Sequence, residues 1–183
     1  MTSDPNHSTG VITIAIEADG WAGALVDPEA LVIRAVEAAL AAACPRLGEA
    51  GISLLLTDDQ SQEALNKEWR GHDKPTNVLS FPATETREGE TPQPEFVGVP
   101  LELGDIALAF ETCAREAAEQ DKPLAHHVEH LVVHGVLHLL GYDHLEDDQA
   151  ERMERLETRI LAGLDVPDPY AAGPNSAIRL GDG

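Results

Sequence analysis

The sequence predicts an α+β fold: a single domain in which about four strands form a mixed sheet packed with about five helices, a histidine-bearing helix at the centre. Three observations carry that reading. Short apolar stretches at 11–17, 52–57, 77–81 and 104–109 have the length and composition of strands. Longer stretches between and after them carry apolar residues at helical spacing. One of these, Leu124 to Leu140, is apolar around nearly its whole circumference, the mark of a buried helix.

Taken in order, Val11–Glu17 alternates, with Val11, Thr13, Ala15 and Glu17 opposing Ile12, Ile14 and Ile16. Pro28 suits the first turn of a helix running to about Cys44, and Pro45 stops it. Ile52–Thr57 reads as a strand and Asp59–Arg70 as a helix. Asn77–Phe81 and Gly104–Ala109 are further strands, and helices follow at about Glu111–Gln120, Pro123–Leu140 and Asp148–Ala162. The last opens on an expected capping box, Asp148 with Glu151, ahead of Met153, Leu156 and Ile160. Residues 83–100, with Pro92, Pro94 and Pro100 among glutamates, form an exposed loop. Residues 1–10 and the Pro- and Gly-containing tail 164–183 are expected to be disordered, leaving 11–163 as one folded unit.

Composition narrows the class. A chain of 183 residues with 43% hydrophobic content suits one domain with a real core. Its two cysteines, Cys44 and Cys113, have no metal-type spacing, no apolar run reaches membrane-span length, and the first residues lack the features of a secretory signal. A reducing, cytoplasmic location is the expectation. Gly48 and Gly51 have neither the spacing nor the lysine of a phosphate-cradling loop.

The chemistry concentrates in residues 134–144, His-Gly-Val-Leu-His-Leu-Leu-Gly-Tyr-Asp-His. On a helical wheel His127, His130, His134 and His138 form one fan in the otherwise apolar circumference. Buried imidazoles need partners, and a metal is an economical one. His134 and His138 lie about 6 Å apart along the axis, and two imidazoles so spaced can share an ion at about 2.0–2.1 Å. His127 lies about 10 Å along the axis from His134, too far to share that ion. His130 and His134 have the same spacing and could pair instead. Gly141 ends the helix and lets the chain turn back, so His144 can reach His134 and His138 more easily than His130. The expected ligands are therefore His134, His138 and His144, with His127 and His130 as pocket walls or solvated polar residues. Three nitrogen ligands and an open fourth position describe a catalytic zinc site rather than a structural one.

In the zinc peptidase motif H-E-x-x-H a glutamate follows the first histidine as general base. Here that position is Gly135, and Glu129 sits well away from the fan on the wheel. The helix is zincin-like, but the peptidase base is missing. Asp147 and Asp148 suit the next helix start, which leaves Asp143 as the carboxylate near enough to orient a ligand or a water.

The eleven-residue stretch resembles the signature of the YbeY family of bacterial endoribonucleases, H-G-x-L-H-L-x-G-x-D-H. Leu65-Asn66-Lys67-Glu68-Trp69-Arg70 and Asp73-Lys74-Pro75-Thr76-Asn77-Val78-Leu79-Ser80-Phe81-Pro82 are similar to the family's central block, and Leu103-Gly104-Asp105-Ile106 to its following strand. The similarity covers roughly residues 50–162. It implies one zinc ion per chain on His134, His138 and His144, and an arginine at the position of Arg70 needed for activity. It also implies single-strand-specific cleavage of ribosomal RNA, in maturation of the small-subunit RNA 3′ end and in ribosome quality control, with the ribosome or its proteins as partners. The expected chemistry is zinc acting on a water or a phosphoryl oxygen while the Arg70 guanidinium fork binds developing negative charge.

The charge opposes a free-standing RNA binder. Twelve Lys and Arg against thirty-three Asp and Glu give −21, whereas affinity for RNA normally rests on basic contacts. Two resolutions are compatible with each other. In one, the acids cluster peripherally, Glu85, Glu88, Glu90 and Glu95 in the loop and Glu146, Asp147, Asp148, Glu151, Glu154 and Glu157 near the last helix, leaving Arg70, His72 and Lys74 as a small positive rim. In the other, a partner with a basic surface delivers the substrate. Two alternative functions stand beside the nuclease: a non-catalytic ribosome-assembly factor with a structural metal, and a zinc peptidase lacking the usual base.

Overall fold

The computed structural model describes residues 10–171. The strands are β1 (Ile12–Ile16), β2 (Ala50–Thr57), β3 (Val78–Pro82) and β4 (Leu101–Ala109). The helices are α1 (Asp19–Ala24), α2 (Pro28–Ala43), α3 (Asp59–Arg70), α4 (Phe110–Glu119), α5 (Leu124–Leu139) and α6 (Asp147–Gly163). The expected strands and the five expected helices are all present. The sequence reading missed α1, which is only six residues long with two glycines among them. It is held by burial of Trp21, whose indole N–H donates to the Thr57 carbonyl at 2.9 Å.

The sheet is mixed, in the order β1-β2-β4-β3. β1, β2 and β4 run parallel, so the chain crosses over between them, through α1 and α2 to reach β2 and through α3 and β3 to reach β4. β3 pairs antiparallel with β4, Ser80 opposite Ile106, and forms one edge. Ile52, Leu54 and Leu56 of β2 alternate into the core, as the period of a strand requires. α5 packs against α2, α4, α6, β3 and β4, which makes the histidine helix the centre of the domain.

Two local expectations differ from the observed structure. α6 starts one residue earlier than expected, and its capping box is Glu146 with Gln149 rather than Asp148 with Glu151. The Gln149 side-chain oxygen accepts from the Glu146 N–H at 3.2 Å. The stretch after α6 is also placed against the domain as far as residue 171. Val166 is buried, and Asp168 accepts hydrogen bonds from the Thr158 hydroxyl and the Tyr170 N–H. The remainder of the expected disordered tail, and residues 1–9, lie outside the described residues.

Candidate active site

α5 carries the first two histidines because its sequence is uninterrupted helix up to Leu139, and it stops where Gly141 takes a φ of +92°. The stop is a Schellman turn. The Tyr142 N–H donates to the Leu137 carbonyl and the Gly141 N–H to the His138 carbonyl, each at 3.0 Å. A side chain at 141 would also meet the Thr86 carbonyl oxygen at 2.1 Å, so the loop over residues 83–100 lies directly against this turn. Asp143 steadies the residue after it: its Oδ1 accepts the His144 backbone N–H at 2.8 Å. The carboxylate expected to orient a ligand or a water thus holds the backbone that presents His144.

The result brings His134, His138 and His144 together, each offering one ring nitrogen, all within 4.8 Å of one another. His134 Nε2 and His138 Nε2 face each other at 3.0 Å. His144 stacks on His134 with ring centroids 5.6 Å apart, and its Nε2 is buried without a hydrogen-bond partner. An orphaned buried nitrogen beside two converging ones fits a metal ion held by three imidazoles. Burial, and then the neighbouring His134 and His144 rings, push His138 down to about 3, keeping it neutral with a lone pair to give.

Glu157 is the residue the sequence reading misplaced. Expected among peripheral acids, it is fully buried. Its Oε1 lies 2.5 Å from His134 Nδ1 and its Oε2 3.0 Å from His130 Nε2, and the Tyr170 hydroxyl donates to Oε2 as well. Burial alone would raise this carboxyl, but the hydrogen bonds from His130 and His134 outweigh it and hold it well below the usual carboxylate range. A signal for it existed. Glu157 stands four residues from both Met153 and Leu161, on the apolar face of α6, whereas Glu151 and Glu154 are exposed.

The other two histidines of the fan are buried and bonded to carboxylates, so they are neither open pocket walls nor solvated residues. His130 is committed to Glu157 and stands outside the cluster of three. His127 Nε2 lies 2.7 Å from Glu116 Oε2, and Glu116 also accepts from the Asn77 side chain at 3.0 Å. Glu129 points away, as the wheel indicated, into an ion pair with Arg34. Gly135 is tightly packed: a Cβ there would sit 3.0 Å from Ile106 Cδ1 and 3.2 Å from Ser80 Oγ, so a glutamate would have to push these side chains aside.

Arg70 ends α3, whose N-terminus is capped by Asp58 through the Ser61 N–H at 2.8 Å. Gln62 and Asn66, both buried, fasten α3 to the Ala107 carbonyl of β4 and to the Lys74 carbonyl of the loop between α3 and β3. The Arg70 guanidinium then reaches the Ser80 carbonyl at 3.1 Å. His72 and Lys74 are exposed on that loop. Among the described residues no helix is long and apolar enough to cross a membrane.

Relatives share this sequence at length. The chain is 52% identical to endoribonuclease YbeY of Bradyrhizobium diazoefficiens over 89% of its own length and 86% of the relative's. It is 52% identical to the Azorhizobium caulinodans protein of the same name, covering 87% and 96% of the two chains. With the Sinorhizobium medicae one identity rises to 61%, over 68% of this chain and 70% of that one. The solution structure of TM1509 from Thermotoga maritima shares the fold, with a TM-score of 0.54 and 22% identity over 92% of this chain and all of that one. Residues 26–165, which hold the three histidines, Arg70 and Glu157, match the family described as endoribonuclease YbeY, and the chain belongs to that family.

Proposed function

We propose that this protein is a metal-dependent endoribonuclease that cuts single-stranded ribosomal RNA during maturation of the small subunit and in ribosome quality control, with zinc on His134, His138 and His144. The observation that carries the proposal is the convergence of those three imidazoles, 4.8 Å or less apart, in a chain of the endoribonuclease YbeY family. When bound, the ion would supply Lewis acidity toward the scissile phosphodiester and the attacking water. The protein's own residues do the rest. His134, buried in α5, and His138, kept neutral by its surroundings, present ring nitrogens fixed by the helix. Arg70, held at the end of α3, offers a planar pair of N–H donors to the negative charge that grows on a phosphoryl group.

The chain's charge of −21 fits delivery of the RNA on a ribosome better than capture from solution. The test is incubation of the purified protein with ribosomal RNA, free and within ribosomes, beside folded His138→Ala. Cleavage by the wild type alone supports the reading. Equal cutting by both would remove the histidine site from the reaction, and no cutting by either would leave an assembly factor that binds without hydrolysis.

A further inference from the structure

The hydrogen bonds behind His134 extend past α6 into the segment C-terminal to it. We propose that Glu157, Tyr170 and His130 form a positioning network that sets how tightly His134 holds its metal, and that the segment after α6 is therefore part of the metal centre. The inference rests on the metal reading given above and adds residues to it.

The donor and acceptor count leads there. An ionised carboxylate only accepts, so at 2.5 Å the proton between Glu157 Oε1 and His134 resides on Nδ1. That fixes the tautomer and leaves the lone pair on Nε2, the atom facing His138 at 3.0 Å. Carboxylate support of this kind orients a ligand ring and makes it a better donor. Glu157 itself needs orienting, because a carboxylate can rotate. Its Oε2 is held from two sides, by His130 Nε2 at 3.0 Å and by the Tyr170 hydroxyl, which also lies 3.2 Å from His130 Nε2. The His130 and Tyr170 rings meet edge to face with centroids 5.4 Å apart.

Tyr170 is placed by the segment after α6 and by that segment's tie back to α6. Val166 anchors the segment in the core, and Asp168 Oδ1 accepts the Tyr170 N–H at 2.8 Å and the Thr158 hydroxyl at 3.2 Å. The network thus spans α5, α6 and the strap after α6, and it converges on one ligand of the three.

The test measures zinc affinity by competition with a chromophoric chelator, together with the visible spectrum of the cobalt(II)-loaded protein. The variants are Tyr170→Phe, which removes one hydroxyl at the surface end of the network, and Glu157→Gln, which keeps the shape and removes the charge. The expected result is a zinc dissociation constant raised about 10-fold in Tyr170→Phe and about 10- to 100-fold in Glu157→Gln. The cobalt spectrum should shift in both. Wild-type affinity and spectrum in both variants would overturn the inference while leaving the three-histidine site standing. A lower metal-free melting temperature with wild-type affinity would also overturn it, as a purely structural role. Failure of the wild type itself to bind zinc or cobalt would overturn the metal reading, and this inference with it.

Discussion

The guanidinium of Arg70 donates to the backbone carbonyl of Ser80 at 3.1 Å, and the Ser80 hydroxyl reaches in turn toward the Gly135 carbonyl, 3.5 Å away, between the first two histidines. Edge strand β3 is thus the link between the arginine and the histidine helix. Arg70→Ala is expected to slow cleavage of single-stranded RNA by about 100- to 1000-fold, the usual effect of losing one preorganised charge-stabilising donor. Zinc affinity should not change. Arg70→Lys should rescue little, because a point charge cannot make the paired contact of a guanidinium. Single-turnover rates with chelator titrations on the same samples check both parts.

Metal removal should be visible without any substrate. Zinc at a hundredfold excess over its dissociation constant is expected to stabilise the wild type by about 2.7 kcal/mol. A chelator should reverse the gain and abolish cleavage. In His144→Ala the zinc-dependent rise in melting temperature should be largely lost, since Nε2 of that ring has no other partner to satisfy. Differential scanning fluorimetry with and without zinc reads this directly.

Close packing, not hydrogen bonding, constrains position 135. Gly135→Ala puts a methyl 3.0 Å from Ile106 Cδ1 and 3.1 Å from its Cγ2, so the isoleucine side chain must give way. The expected cost is about 1–3 kcal/mol, the range for overpacking a filled core. Gly135→Glu, which recreates the peptidase sequence, should unfold the domain or leave it without peptidase activity. Urea denaturation and a casein assay give the two answers.

Glu116 supplies a pH dependence away from the metal. Burial would raise its carboxyl, but hydrogen bonds from His127 and Asn77 outweigh that and lower it from its ordinary 4.5. A lowered carboxylate adds stability above its unfolded value and loses it as the pH falls through the folded one. Wild type and Glu116→Gln should therefore differ most in stability at neutral pH. The gap should close progressively as the pH falls below about 4.5. Urea midpoints across that range test the sign.

How much of this was legible in sequence depended on how local the cause was. The three histidines follow from helical spacing and one glycine, both readable from neighbouring residues, and the missing peptidase glutamate was plain at Gly135. Strand and helix positions followed from periodicity to within a few residues. Glu157 was hidden because α6 is rich in acids, and its distinguishing partners lie on α5 and at Tyr170, far away in sequence. That Glu157 also takes up His130, which was set aside as a ligand on the reach of His144 alone, was hidden for the same reason. α1 escaped because tertiary burial of Trp21, not periodicity, holds its six residues.

The order in which Tyr170 and the histidines are made also matters. A ribosome synthesising this chain releases His134, His138 and His144 first, Glu157 later and Tyr170 later still. A growing chain can thus expose the trio before the carboxylate that fixes one tautomer and the hydroxyl that steadies that carboxylate have left the exit tunnel. Assembly is vectorial: the pieces that lock His134 in place are the last of the network to be translated.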